Sequence, residues 1–74
     1  MARMTDIYVV IDGSRVVGAS TKLQGAELMR ANYARAAREF WLAHGTRPEE
    51  QADTAERQTY DRTRIENTEL TDDG

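Results

Sequence analysis

Residues 7–19 read Ile-Tyr-Val-Val-Ile-Asp-Gly-Ser-Arg-Val-Val-Gly-Ala, and this stretch decides the fold. Ile7, Tyr8, Val9, Val10 and Ile11 are all β-branched or aromatic, which suits a pleated strand. Asp12-Gly13 follows at once. Glycine accepts positive φ without a Cβ clash, so this dipeptide predicts a hairpin turn. Val16 and Val17 resume β character, and a second strand is expected over residues 15–19. A two-residue loop at Asp12-Gly13 sets Val9 opposite Val16; a four-residue loop ending at Arg15 keeps the same faces. Ile7, Val9, Ile11 and Val16 then share one face. Tyr8, Val10, Val17 and Ala19 share the other.

Both faces are apolar, whereas an antiparallel hairpin with one wet face alternates apolar with polar. One helix can cover one face. The remaining face is a candidate contact surface, and Tyr8, Val10 and Val17 are the residues expected on it.

Outward from the hairpin, Thr21 and Gln24 have the spacing of a capping box, and a long helix is expected to run to His44. Gly45 should end it, and Pro48 opposes its continuation. At 100° per residue, Leu23, Ala26, Met29, Tyr33, Ala36, Ala37, Phe40 and Trp41 fall on one face, expected to pack on the sheet. Leu28, Ala31, Arg35, Arg38, Glu39 and Leu42 lie opposite. Arginine with apolar anchors is enriched at protein contacts, so Leu28, Arg35, Arg38 and Leu42 form a second candidate partner-binding stripe.

Thr46, Pro48 and the acids after it resemble a second helix start, expected over residues 49–57. Beyond it the pattern is mixed. A third strand is expected near residues 63–69, because a two-stranded hairpin alone is marginal; a helix continuing to Ile65 is the rival. Residues 1–5 and 71–74 are expected to be loose ends. The fold class expected is α+β, in the order ββα(α)β: one domain with a core at 6–45, an acidic arm at 46–70 and a tail at 71–74.

Composition narrows the function. The chain has 74 residues, and a chain of this size buries only about 60% of its unfolded surface. It has no cysteine, so neither a disulfide nor a thiolate metal site can reinforce it. Oligomerisation or docking remains as a way to bury more. No run approaches the roughly 20 apolar residues of a membrane span, and no secretory leader is evident; a cytoplasmic location is expected. Residues 1–47 carry seven basic and four acidic side chains, net +3. Residues 48–74 carry three and nine, net −6, which together give the overall −3.

Active-site chemistry finds little to work with. Residues 13–20 imitate a phosphate-binding loop, but Ala19 stands where that loop needs lysine, and the intervening residues are strand formers. His44 is the single histidine, and neither Ser14 nor Ser20 makes a nucleophile motif with it. One histidine and no cysteine exclude an ordinary zinc site. The acids lack the spacing of a calcium loop. Arg30, Arg35, Arg38 and Arg47 could form a basic stripe, but the pI near 5.0 and the acidic 48–74 segment argue against nucleic acid as a partner. No catalytic residue, cofactor or metal is expected.

The order strand (residues 7–11), Asp12-Gly13, strand (16–21), helix with Ala26-Glu27, and late acidic strand (65–70) resembles a set of short phage and prophage accessory proteins. The long acidic segment before the last strand departs from that layout. The resemblance implies a non-enzymatic protein that binds a host or defence complex and modulates or inhibits it. Two further readings are a small virion or assembly subunit, and an antitoxin-like regulator with its basic body on DNA. A protein partner, self-association into a homo-oligomer, or both are expected.

Overall fold

Residues 3–72 are described by a computed structural model; Met1, Ala2, Asp73 and Gly74, taken above as parts of loose ends, lie outside the described residues. The order is β1 (Arg3–Asp12), β2 (Arg15–Ser20), α1 (Leu23–His44), α2 (Pro48–Arg62) and β3 (Thr63–Asp72). The three strands form one antiparallel sheet in the order β2-β1-β3. This is the expected α+β class in the expected ββααβ order.

β1 is the central strand, which accounts for its unbroken apolar run: side chains on both of its faces have neighbours on both flanks. The β1–β2 turn takes the register of the four-residue alternative, with Ile11 opposite Val16, and the ladder runs one pair further. Asp12 pairs with Arg15, leaving Gly13-Ser14 as the two central residues. Gly13 has φ +62, which fits the primed hairpin turn that takes glycine first. The register then slips. Ile11 pairs with Val16 but Val10 pairs with Gly18, so Val17 is an extra residue in a β-bulge. Ala19 thereby comes opposite Val9 and joins the face of Ile7 and Val9, not that of Val10.

Side chains opposite one another in a ladder share a face, so the bulge and the pairings define both faces. The covered face holds Tyr8, Val10, Asp12, Gly18, Thr63 and Ile65. Val10 is fully buried there, with Thr63 beside it at 1% exposure. Gly18 lets α1 approach closely: a Cβ on it would lie 3.0 Å from the Met29 sulfur. The other face carries Ile7, Val9, Ile11, Val16, Ala19, Arg64 and Glu66. This reverses the expectation for Tyr8, Val10 and Val17. Val10 is core, Tyr8 lies on the helix side, and Val17 is a half-buried bulge residue.

The helix ends also differ from the sequence reading. The N-cap of α1 is Lys22, not Thr21, and no side chain caps it; the Ser20 hydroxyl accepts from the Lys22 N–H at 3.1 Å. The cap of α2 is Arg47, not Thr46, with Pro48 at the first turn. Gln51 reaches back so that its Oε1 accepts from the Arg47 N–H at 3.0 Å. Gly45 does end α1, in an extended conformation at φ −76 and not a left-handed one. Its lack of a Cβ matters for space, because the Gln51 carboxamide and the Trp41 carbonyl occupy that position.

The acidic 46–70 segment supplies α2 and most of β3, so it is part of the fold and not an appended arm. α2 extends to Arg62, beyond the expected residue 57, and packs along α1 through Ala34 and Ala52, both essentially buried. β3 pairs with β1 at ten positions, from Asp12–Thr63 to Arg3–Asp72. Residues 3–5 and 71–72, expected to be loose, are thus strand. The helix rival for residues up to Ile65 fails because Thr63 is extended, and its hydroxyl donates to the Tyr60 carbonyl at 2.8 Å.

Candidate interaction surfaces

α1 begins just past the end of β2 and is longer than that strand. Its 22 residues span about 33 Å, whereas the six residues of β2 span about 20 Å. The sheet ends under Tyr33, whose hydroxyl donates to Asp12 Oδ2 at 2.6 Å beside the β1–β2 turn. The chain returns to the same point through Arg62, which donates from Nε to Asp12 Oδ1 at 2.5 Å and from its second nitrogen to Oδ2 at 3.1 Å. Residues 34–44 of α1 and most of α2 therefore overhang the end of the sheet as a helical hairpin. At the opposite end, residues 3–7 and 68–72 form a two-stranded ribbon that β2 does not reach. The molecule is accordingly long, 58 × 19 × 14 Å.

Asp12 is the junction of these parts. Its side chain is 12% exposed and accepts from two elements. The Arg62 hydrogen bonds, then that from Tyr33, hold its carboxyl below the usual carboxylate range. Tyr33 is correspondingly pushed above its ordinary phenol value, chiefly by the hydrogen bond to Asp12. Arg30 makes a second junction. It donates to the Tyr60 carbonyl at 2.7 and 3.1 Å and to the Thr63 hydroxyl at 3.1 Å, with its guanidinium 3.9 Å from the Tyr60 ring centre.

The candidate stripe on α1 divides. Leu28 is 62% exposed; Arg35 and Leu42 are exposed at the same seven-residue spacing, on the side away from the sheet. Arg38 does not join them. It turns to α2 and forms ion pairs with Asp53 and Glu56. Arg30, Arg38 and Arg47, three arginines of the possible basic stripe, thus have partners within the chain. Phe40 and Trp41, expected in the core, are 56% and 37% exposed. They lie on the overhang, where α2 opposes them with small or polar side chains and no strand lies below.

No family model, curated protein or solved structure matches this chain.

The surface therefore has to be read from its own chemistry. Ile7, Val9 and Ile11 stand in a row on the central strand with Val16, 63% exposed, beside Ile11. Among the described residues no element packs over them, and Ile7, Val9 and Ile11 are half-buried by their strand neighbours. These four share one face, as the hairpin pattern expects, but it is the face away from the helices. The signal that could have shown this is Gly18, since a missing side chain beside Val10 marks the face a helix approaches. Among the described residues no group of three metal-ligating side chains comes together. Among the described residues no helix is long and apolar enough to cross a membrane.

Proposed function

We propose that this chain is a non-enzymatic protein-interaction module that docks another protein on the open face of its sheet. The observation that carries this reading is the row Ile7, Val9 and Ile11, half-buried by their strand neighbours, with Val16 63% exposed beside it, over which no described element packs. Fully burying an exposed side chain of this kind yields about 1.5–3 kcal/mol; Val16 offers more of that than Ile7, Val9 and Ile11, which are already half-buried. A contiguous apolar patch of this kind on a soluble protein is a common mark of a contact site. The exposed stripe Leu28, Arg35, Leu42 offers a second contact on the opposite side. The resemblance noted above extends the proposal to a phage-encoded modulator or inhibitor of a host or defence complex. The antitoxin reading has less support, because β3, which it would need as a wrapping arm, is paired along its length with β1.

The test is affinity capture from host lysate with three proteins: the natural chain, Val9→Glu combined with Ile11→Glu, and Leu28→Glu. A partner retained by the natural chain and Leu28→Glu, but lost by the sheet-face double variant, supports the reading. A partner retained equally by the double variant, with its circular dichroism spectrum unchanged, removes it.

A further inference from the structure

β2 is an edge strand. Its inner side bonds to β1, and among the described residues no strand lies on its outer side. Among the described residues no loop or cap hydrogen bond reaches the backbone of Val16, Val17, Gly18 or Ala19 either. The turn fixes which groups point outward. Gly13 and Ser14 stand between the strands, so the closing Asp12–Arg15 pair is the hydrogen-bonded one and the next pair, Ile11–Val16, is not. Val16 therefore turns its N–H and C=O away from β1, and its side chain is exposed at the same place.

The two edges of the sheet are built differently. β3 carries exposed Arg64, Glu66 and Glu69, and charged side chains along an edge oppose a further strand. β2 has no charged residue between Arg15 and Ser20, and no proline. Its six-residue length and the bulge at Val17 restrict any new ladder to a short segment without closing the edge. Such an edge is matched by an extended backbone, which offers its own N–H and C=O groups at strand spacing. Charge then selects among extended segments. Residues 13–26 hold Arg15 and Lys22, both exposed, and no acid. Asp12, opposite Arg15, is already engaged by Arg62 and Tyr33. The β2 strand of a second copy would bring the same two positive groups to the ladder, whereas a strand with acidic side chains meets attraction.

We infer that the outer edge of β2 is a site of strand addition, which takes a short extended segment of another protein carrying apolar and acidic side chains. Main-chain hydrogen bonds hold the segment. An apolar side chain on it pairs with Val16 across the new ladder, and its acids face Arg15 and Lys22. The added strand lies beside the open sheet face and not on it, so the inference does not rest on what that face binds.

Short random peptides displayed on ribosomes and selected on the natural chain test this, with binding of a synthesised enriched peptide followed by fluorescence anisotropy. Selection should enrich segments that combine β-branched residues with Asp or Glu. Methylating every second backbone nitrogen of the peptide should abolish binding in one phase and spare it in the other, because alternate N–H groups face the edge. Arg15→Gln with Lys22→Gln should weaken binding by more than about threefold, and added salt should weaken it too. Val16→Pro, which removes an outward N–H, should lose the peptide while keeping its circular dichroism spectrum; should that variant misfold, the methylated peptides decide on the natural protein. Val9→Glu with Ile11→Glu should still bind the peptide, even where it abolishes docking on the open face. No enrichment, or equal effects of the two methylation phases, overturns the inference. Binding indifferent to the Arg15/Lys22 change overturns the acidic partner. Self-association in sedimentation velocity that Val16→Pro abolishes overturns the choice of occupant in favour of a second copy.

Discussion

Asp12 ties together three segments that are distant in the chain, through Tyr33 and Arg62, 21 and 50 positions away. Its protonation should therefore be visible in the stability of the whole fold. Its folded pKa lies below the ordinary 3.8, so the stability it contributes is fully present above 3.8 and is lost as pH falls from there through the lower folded value. Tyr33 is raised above the ordinary 10.0, so its contribution is complete below 10.0 and is lost as pH rises through the folded value. Urea midpoints measured against pH should fall at both extremes. In Tyr33→Phe the alkaline decline should shrink and the acid decline should persist through Arg62; an identical alkaline limb in both proteins would contradict the assignment. Gly45 supports a second prediction. At φ −76 an alanine could adopt the backbone and would ordinarily stabilise by about 0.4–1 kcal/mol through the unfolded state. Here its Cβ would lie 2.7 Å from the Trp41 carbonyl oxygen. Gly45→Ala should instead lose about 1–3 kcal/mol in a urea titration, the usual cost of overpacking. Asp12 was legible only as a turn residue. Its partners follow from no local spacing, and neither does the crowding at Gly45.

At the scale of elements, the β-branched run, the glycine turn, the long amphipathic helix and the proline start are strong local signatures, whereas β3 has none: the pattern after residue 57 is mixed, and a strand was expected there only because a two-stranded hairpin is marginal. The sequence did not show which side of the sheet the helices take. That choice depends on Gly18 facing α1 and on the bulge at Val17, and a one-residue slip moves side chains to the opposite face. The face assignment has a direct check. Val10→Ala should cost about 2 kcal/mol, since it empties a fully buried site. Val16→Ala, on a residue 63% exposed, should stay within about 0.5 kcal/mol. Equal losses would show that the open face is covered within the monomer. The exposure of Phe40 and Trp41 follows from where α1 starts: it begins just past β2, a strand of six residues, and runs back for 22. Periodicity reports which residues share a side of a helix, and nothing about whether anything lies under that side.

At the scale of the molecule, the sheet is closed by its last strand. The net −6 of residues 48–74 had suggested an arm separable from a basic body. Charge describes solvation and says little about pairing, and β3 alternates inward Thr63 and Ile65 with outward Arg64 and Glu66. A chain ending at residue 62 should lose cooperative thermal unfolding, because it gives up the buried Thr63 and leaves β1 with one neighbour. A truncated protein with a sharp transition near that of the full chain would restore the arm as a separate unit. The same pairing has a consequence during synthesis. The β1–β2 and α1–α2 hairpins can form as soon as their own residues are available, but β1 must wait for a strand encoded more than fifty codons later. While residues 63–72 are still inside the ribosome, the exposed flank of β1 is a hazard for mispairing with neighbouring nascent chains. Slow translation through the second half of the message would lengthen that interval, and a chaperone that shields β-strand edges would shorten its effect.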